Sequence, residues 1–565
     1  MVEKLIGMYH HRRLAAAVVP VVAALAVASI IVAPSGQALG RGNASPPAVL
    51  AQAAPTCASL TTLSLANTTI NSAVDTPLGM VPPPLPGLPP TPVVATCRVH
   101  ATVTTPGVND RIGVDVWLPV SGWNGRFQGV GGSGFLAGDP NDLARPVDAG
   151  YSAAVTDAGH TSQSPVPSLD GSFALDSAGR LNWALIEDFS YRGVHDLAVV
   201  GKAVTAAYYG SHATYSYWNG CSTGGRQGLA EAQRYPSDFN GILAGAPAIN
   251  WQNYVPASLW PELVMQQSSD FLPQCKFSAF QAAAIKACDA LGDGVVDGVI
   301  GDPLACKFDP SALVGTSTPC GTITAQDAAV VAKIVAGPRS TDGNFLWYGL
   351  LWGTSFGGGP LGPFGGIANT TTSGGTTVGA PFPLVTQYLG TWVQQNPTWD
   401  WTTTTYDQFD QLFQQSVEMF GNVIGTDNPD LRAFKKAGGK LIIWQGLADQ
   451  LIFPQGTINY YTRVQQAMGG RQHTTDFARL FFAPGVDHCG LAPVGPRPDN
   501  PLNQLTDWVE HGNAPSSLNG VIRDPSTGAV TETRPICMYP NVAVYKGHGP
   551  TTQASSFTCR HQGED

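Results

Sequence analysis

The sequence predicts an α/β fold, with a mostly parallel sheet wrapped in helices and interrupted by one large insertion. From about Cys97 to Gly245, β-prone runs alternate with helical runs, the order that produces parallel sheets. That alternation fades from about Asn250 to Asp430, where Trp, Gly, Thr and Pro are frequent, and returns after Asp430. A chain of 565 residues suits two domains, or one large domain carrying an insertion.

Residues 1–53 read as a secretory signal. Lys4, Arg12 and Arg13 precede an apolar run from Leu14 to about Val32, and Ala51-Gln52-Ala53 offers a cleavage site. A membrane anchor is the alternative, because the run approaches spanning length; its Ala richness and Pro20 favour export. The first part of the core, 54–249, opens with Pro82 to Pro92 (PPPLPGLPPTP), expected as an extended surface loop, neither helix nor sheet. Ile112–Leu118 and Phe127–Val130 read as strands and Val194–Tyr209 as a helix. In the insertion, 250–430, the Gly/Thr/Pro-rich stretch Gly357–Pro381 reads as a long irregular loop. The second part of the core, 431–565, begins with a strand at Lys440–Trp444, a helix at Ile458–Met468 and a strand at Leu480–Ala483.

Composition excludes several classes. Charged residues are only 12%, and there are 65 Gly and 45 Pro. This rules out a coiled coil, a helical bundle or a charged disordered chain. A net charge of -10 argues against a nucleic-acid partner, which needs a basic face for phosphates. Ten widely spaced cysteines, with no C-x-x-C pair, point to disulfides in an oxidising compartment.

Gly220-Cys221-Ser222-Thr223-Gly224 matches G-x-S-x-G, the turn that joins a strand to a helix in α/β-hydrolases and holds Ser at its tip. A second match, Gly353-Thr354-Ser355-Phe356-Gly357, is followed by glycines and a proline, where no helix can start. Around Ser222 the context is right. The β-prone Thr214–Trp218 precedes it, and a helix-like run from Arg226 to Tyr235, stopped by Pro236, follows. Ser222 is the candidate nucleophile.

A serine nucleophile needs a base, and the base needs a carboxylate to hold its tautomer. In hydrolases of this type both follow strands, the acid before the histidine. The strand at Lys440–Trp444 leads to Gln445-Gly446-Leu447-Ala448-Asp449. The strand at Leu480–Ala483 leads to Pro484-Gly485-Val486-Asp487-His488-Cys489. His488 is therefore the candidate base and Asp449 the acid. Asp487 is less suited, because adjacent residues rarely aim at one another's ring nitrogen. If Ser222 and His488 touch, Cys221 and Cys489 come near bridging distance, and a disulfide would tie the two loops together.

Together, Cys221-Ser222, Asp449 and His488-Cys489 form a CS–D–HC arrangement that resembles the tannase and feruloyl esterase family of α/β-hydrolases. Gly220–Gly228 (GCSTGGRQG) and Asn428–Phe434 (NPDLRAF) match as well, and the resemblance runs from about Cys57 to Cys559. The family includes tannases, feruloyl esterases and the hydrolase of mono(2-hydroxyethyl) terephthalate. It implies an α/β-hydrolase core with a lid domain inserted after the nucleophile half. It also implies an oxyanion hole from two backbone amides, that of Thr223 and one from the glycine loop Gly131–Gly134, for which Gly132 is the candidate. Such amides stabilise a developing oxyanion by a few kcal/mol per donor.

Within the insertion, Asp289–Val299 (DALGDGVVDGV) alternates carboxylates with glycines, a pattern suited to hard Ca²⁺. It is not an EF-hand. It resembles the family's lid calcium loop, which implies ligation by the side chains of Asp289, Asp293 and Asp297 and the carbonyls of Val295 and Val299, in a structural role. Four steps separate the first two Asp, where the family usually has three. No organic cofactor is expected. The resemblance further implies the pairs Cys57–Cys97, Cys221–Cys489, Cys288–Cys306 and Cys537–Cys559. Cys275 and Cys320 remain as an open fifth pair.

The insertion holds seven of the thirteen Trp: Trp251, Trp260, Trp347, Trp352, Trp392, Trp399 and Trp401. Aromatics lining a lid would suit a flat aromatic acyl group, while for any single Trp an ordinary core position is the simpler reading. The expectation is a secreted serine carboxylesterase for a small aromatic ester, free or attached to a plant polymer, with no stable membrane association after signal cleavage. Acyl transfer by the same triad, or a catalytically inert binding protein on the same scaffold, are the alternatives.

Overall fold

A computed structural model describes residues 56–82 and 90–561. The signal segment expected at 1–53 and most of the proline stretch lie outside the described residues. Nine strands form the central sheet: β1 (Thr68–Thr76), β2 (Thr96–Val103), β3 (Ile112–Pro119), β4 (Arg126–Val130), β5 (Ser152–Thr156), β6 (Tyr215–Cys221), β7 (Gly241–Gly245), β8 (Lys440–Gly446) and β9 (Ala478–Ala483). Their order is β1-β2-β3-β5-β4-β6-β7-β8-β9. The first three pair antiparallel, and β3 is antiparallel to β5. From β5 to β9 every pairing is parallel.

The parallel strands are apolar because both faces are covered. Every residue of β5 (SAAVT) and β7 (GILAG) is buried. Alternation assigns the faces. Trp218, Ile242, Leu441, Ile443 and Leu480 share one core with helices α1 (Gly193–Tyr209) and α2 (Thr223–Arg234). Their neighbours Tyr217, Leu243, Ile442 and Phe481 face the opposite core. Helix α1 stops at Gly210, whose φ of +69° is the left-handed cap that glycine favours.

No strand of the central sheet falls between Gly245 and Lys440. The intervening segment contains α3 (Gln274–Cys288) and α4 (Tyr406–Ile424), and α4 starts with a capping box at Thr405 and Gln408. After β8 comes α5 (Pro454–Ala467), on the face of α1 and α2. Helix α6 (Pro501–His511) covers the other face through Leu505 and Trp508. The C-terminal region adds the antiparallel pairs β10 (Ser517–Arg523) with β11 (Val530–Cys537) and β12 (Asn541–Tyr545) with β13 (Phe557–His561). Among the described residues, no helix is long and apolar enough to cross a membrane.

Two local expectations need correction. Thr91–Val93, at the end of the proline stretch, pairs with Gly79–Val81, so Pro92 lies in a short two-stranded ribbon opposite Met80. An isolated edge tolerates a residue without an N–H. Gly357–Pro381 is not wholly irregular: Thr370–Ser373 and Thr376–Gly379 form a hairpin. Gly374 and Gly375, both at positive φ, supply the two-residue turn, and the β-branched threonines supply the strands.

Candidate active site

Ser222 sits between the end of β6 and the start of α2, with φ 63° and ψ -123°. A non-glycine residue held there is strained, and such strain is stored where the surroundings fix it. Here they do: Ser222 N–H donates to the Gly245 carbonyl at 3.0 Å, and its own carbonyl accepts from Arg226 and Ala248 at 3.0 and 3.1 Å. The flanking glycines are required by close approach. A Cβ on Gly220 would lie 2.6 Å from Gly224 backbone, and one on Gly131 only 2.4 Å from Gly224 Cα. Ser222 remains partly exposed, so its hydroxyl is reachable. The second G-x-S-x-G match, around Ser355, lies in a loop with no helix directly after it.

Asp449 follows β8 and is buried. One carboxylate oxygen accepts from the amides of Leu451 and Ile452 at 3.0 and 2.9 Å, and the other from Gln445 Nε2 at 3.2 Å. Both oxygens stand 3.1 Å from His488 Nδ1. The opposite ring nitrogen, Nε2, is thus left for proton exchange. The backbone of His488 is anchored too, its N–H donating to Gln450 Oε1 at 2.9 Å. Burial pushes the imidazole pKa down, but the charge and hydrogen bond of Asp449, joined by the charge of Asp487, outweigh it, and the ring stands above the ordinary histidine value. Asp487 receives the Ala492 amide instead, at 2.8 Å, and burial raises its carboxyl.

A disulfide joins Cys221 to Cys489 with a Cα–Cα distance of 6.0 Å. Since adjacent Cα atoms lie 3.8 Å apart, Ser222 and His488 have their Cα atoms within about 14 Å. The other four pairs are Cys57–Cys97, Cys275–Cys320, Cys288–Cys306 and Cys537–Cys559, which includes the pair left open by the sequence.

Thr223 is the first residue of α2, where amides have no intrahelical acceptor and the helix end favours negative charge. Its side chain donates to the Gly134 carbonyl at 2.6 Å, drawing the glycine loop over the elbow. Gly132 is tied to α2 as well. Its N–H already donates to Gln227 Oε1 at 3.0 Å, while its carbonyl accepts from Gly224 at 2.9 Å. Gln227 also donates to the Ala137 carbonyl at 3.0 Å. This wholly buried side chain on α2 thus clamps both ends of the loop. No sequence signal marks Gln227 beyond its place in the elbow motif.

The Asp289–Val299 loop does not fit calcium as expected. Ca²⁺ needs six to eight oxygens at about 2.3–2.6 Å. Instead, Asp289 accepts the amides of Asp297 and Gly298 at 3.1–3.2 Å. Asp293 accepts the Val295 amide and Asp297 the Val299 amide, at 3.0 and 3.1 Å. Their remaining oxygens face the Arg534 guanidinium. Among the described residues, no three His, Cys, Asp or Glu side chains converge so as to hold a metal.

The insertion's tryptophans are mainly core. Trp251, Trp260, Trp347, Trp352 and Trp392 are buried, and Trp399 and Trp401 pack against the same cluster. A cavity of about 310 Å³ adjoins the acid and base loops. Its walls include Phe277, Trp352 and Phe356, together with Gln450 and Asp487, the chain neighbours of Asp449 and His488.

Residues 97–560 match the model of a family described as tannase and feruloyl esterase. A probable feruloyl esterase of Arthroderma benhamiae is 45% identical over 484 residues, 84% of this chain and 88% of that one. Feruloyl esterase B of Aspergillus niger is 30% identical, covering 82% and 87%. Among solved structures, tannin acyl hydrolase from Aspergillus niger superposes with a TM-score of 0.77 at 25% identity, over 88% of this chain and 92% of that one. Feruloyl esterase B from Aspergillus oryzae gives 0.75 at 28%, over 88% and 98%.

Proposed function

Given that this chain belongs to the tannase and feruloyl esterase family, whose members are carboxylic ester hydrolases, we propose that it is a secreted serine esterase cleaving esters of hydroxycinnamic, gallic or related aromatic acids. The observation that carries the mechanism is the buried Asp449–His488 pair, stapled through Cys489–Cys221 to the strained Ser222.

In this mechanism His488 Nε2 takes the Ser222 hydroxyl proton as Oγ attacks the ester carbonyl. Asp449 holds the ring with Nδ1–H inward and stabilises the imidazolium. The Thr223 amide, at the N-terminus of α2, faces the developing oxyanion. Gly132 joins it only by sharing its N–H with Gln227. The tetrahedral intermediate collapses, the C–O bond to the alcohol breaks, and His488 returns the proton to the leaving alkoxide. Water, deprotonated by His488, then attacks the acyl-serine; the acyl C–Oγ bond breaks, His488 returns the proton to Ser222 Oγ, and the acid is released.

The names of the relatives support an aromatic acyl group, hydroxycinnamic or galloyl, on an alcohol that is either free or part of a plant polymer. Five disulfides suit an oxidising compartment and support secretion. Residues 250–430 serve as the lid over the site.

The test is a hydrolysis panel of methyl hydroxycinnamates, methyl gallate, and mono- and bis-hydroxyethyl terephthalate, run with wild type and Ser222→Ala. The expected outcome is turnover of at least one aromatic ester by the wild type and none by the variant. No turnover of any member by the wild type would reject the substrate class.

A further inference from the structure

We propose that in this chain the Arg534 guanidinium takes the place that the family resemblance gives to calcium, so that the Asp289–Val299 loop is held by an internal ion-pair network and not by a metal. Arg534 lies on β11, 237 residues beyond Asp297. It is 5% exposed and enters the loop from the C-terminal side. Nη1 donates to Asp293 Oδ2 and Nη2 to Asp297 Oδ2, both at 2.8 Å. Glu532 Oε1 lies 3.1 Å from Nη2. The guanidinium carbon stands 4.5 Å from the centre of the Phe557 ring on β13. Nearby, the Tyr545 amide of β12 donates to the Asp293 carbonyl at 2.8 Å.

The chemistry follows from this donor set. A guanidinium is a fixed planar fork that satisfies two carboxylates at once and stacks on an aromatic ring. A Ca²⁺ between Asp293 Oδ2 and Asp297 Oδ2 would meet a permanent cation already there, and both of their other oxygens already accept backbone amides. The spacing agrees. The additional residue between Asp289 and Asp293 leaves Gly292 at φ +93°, where a Cβ would stand 2.7 Å from the Asp302 amide. Asp289 is thereby turned onto the amides of Asp297 and Gly298. The loop is thus tied to β11–β13, whose Cys537–Cys559 bridge closes the same region.

The full-length secreted chain, purified without chelator, tests this by metal analysis and by melting in EGTA and in millimolar CaCl₂. The expected result is far less than one calcium per chain and the same Tm in both buffers. Arg534→Gln should lower Tm by several degrees, and Arg534→Lys, which keeps the charge but not the fork, by less. Should Arg534→Gln fail to fold, the wild-type metal content and the EGTA melt still decide. One calcium retained per wild-type chain, a lower wild-type Tm in EGTA, or an unchanged Tm in Arg534→Gln would overturn the proposal.

Discussion

Asp449 spends both carboxylate oxygens on fixed donors, two amides and Gln445 besides the His488 ring. Asp449→Asn keeps that volume but presents an NH₂ toward donors, so it should favour the wrong histidine tautomer and cut kcat by about three to four orders of magnitude. Steady-state kinetics on the best ester of the panel measure this. The pH profile has a definite sign. His488 must be neutral to act as base, and its pKa is held above the ordinary histidine value. The acid limb of kcat/KM should therefore fall at a higher pH than for an unperturbed imidazole, and should move down in Asp449→Asn, where the charge that raises it is gone. The placement of Ser222, Asp449 and His488 just beyond β6, β8 and β9 is legible in the sequence because each follows a recognisable strand and two carry an adjacent Cys. The roles of Gln227 and Arg534 are not. Their partners lie 95 and about 240 residues away, and no local pattern encodes such a contact. Gln227→Leu should destabilise the fold by about 1–3 kcal/mol for each backbone group left unpaired, at Gly132 and Ala137, read by denaturant melts.

Two elements meet at the Cys221–Cys489 bridge: the β6–α2 elbow and the loop after β9. The bridge spans 268 residues, a long loop for the unfolded chain to close. Chain-entropy reasoning puts its contribution at up to about 5 kcal/mol. Its catalytic effect should be distinct, because it sets where the base loop lies relative to Ser222. The Cys221→Ser/Cys489→Ser variant should therefore lose at least tenfold in kcat under conditions where it is still folded, a comparison of kcat with circular dichroism at one temperature. At this scale the strands and helices that bear the site are legible in the sequence, with ends displaced by a few residues. α2 begins at Thr223, three residues before the helical pattern becomes visible, because Gly224 and Gly225 hide it. The hairpin at Thr370–Gly379 was missed for the opposite reason: its threonines and glycines read as loop composition, although they encode two short strands and a turn.

Across the whole molecule, one hydrophobic cluster joins Phe135, Ala137 and Phe189 of the nucleophile half, Trp251, Trp392 and Phe420 of the insertion, and Leu451–Phe453 of the acid loop. Trp392 is wholly buried, stacks 5.7 Å from Phe135 and donates its indole N–H to the Gly171 carbonyl at 2.9 Å. Trp392→Ala should cost about 3–5 kcal/mol. In both forms, tryptophan fluorescence and far-ultraviolet circular dichroism should unfold at the same denaturant concentration, since the insertion shares this core with the glycine loop and the acid loop, which extend directly from strands of the sheet. The sequence's change of texture at Asn250 marks where the sheet is interrupted. It does not show that the inserted core is shared with the residues beside the glycine loop.

The central claim is that Ser222 carries the acyl group during hydrolysis of an aromatic ester. Mass spectrometry of enzyme quenched with acid during turnover of methyl ferulate or methyl gallate, followed by peptide mapping, tests it directly. The account predicts an adduct of the acyl mass on the peptide containing Ser222, absent from Ser222→Ala, which shows no turnover. Undiminished turnover by Ser222→Ala, or an acyl adduct on a different residue, would contradict it.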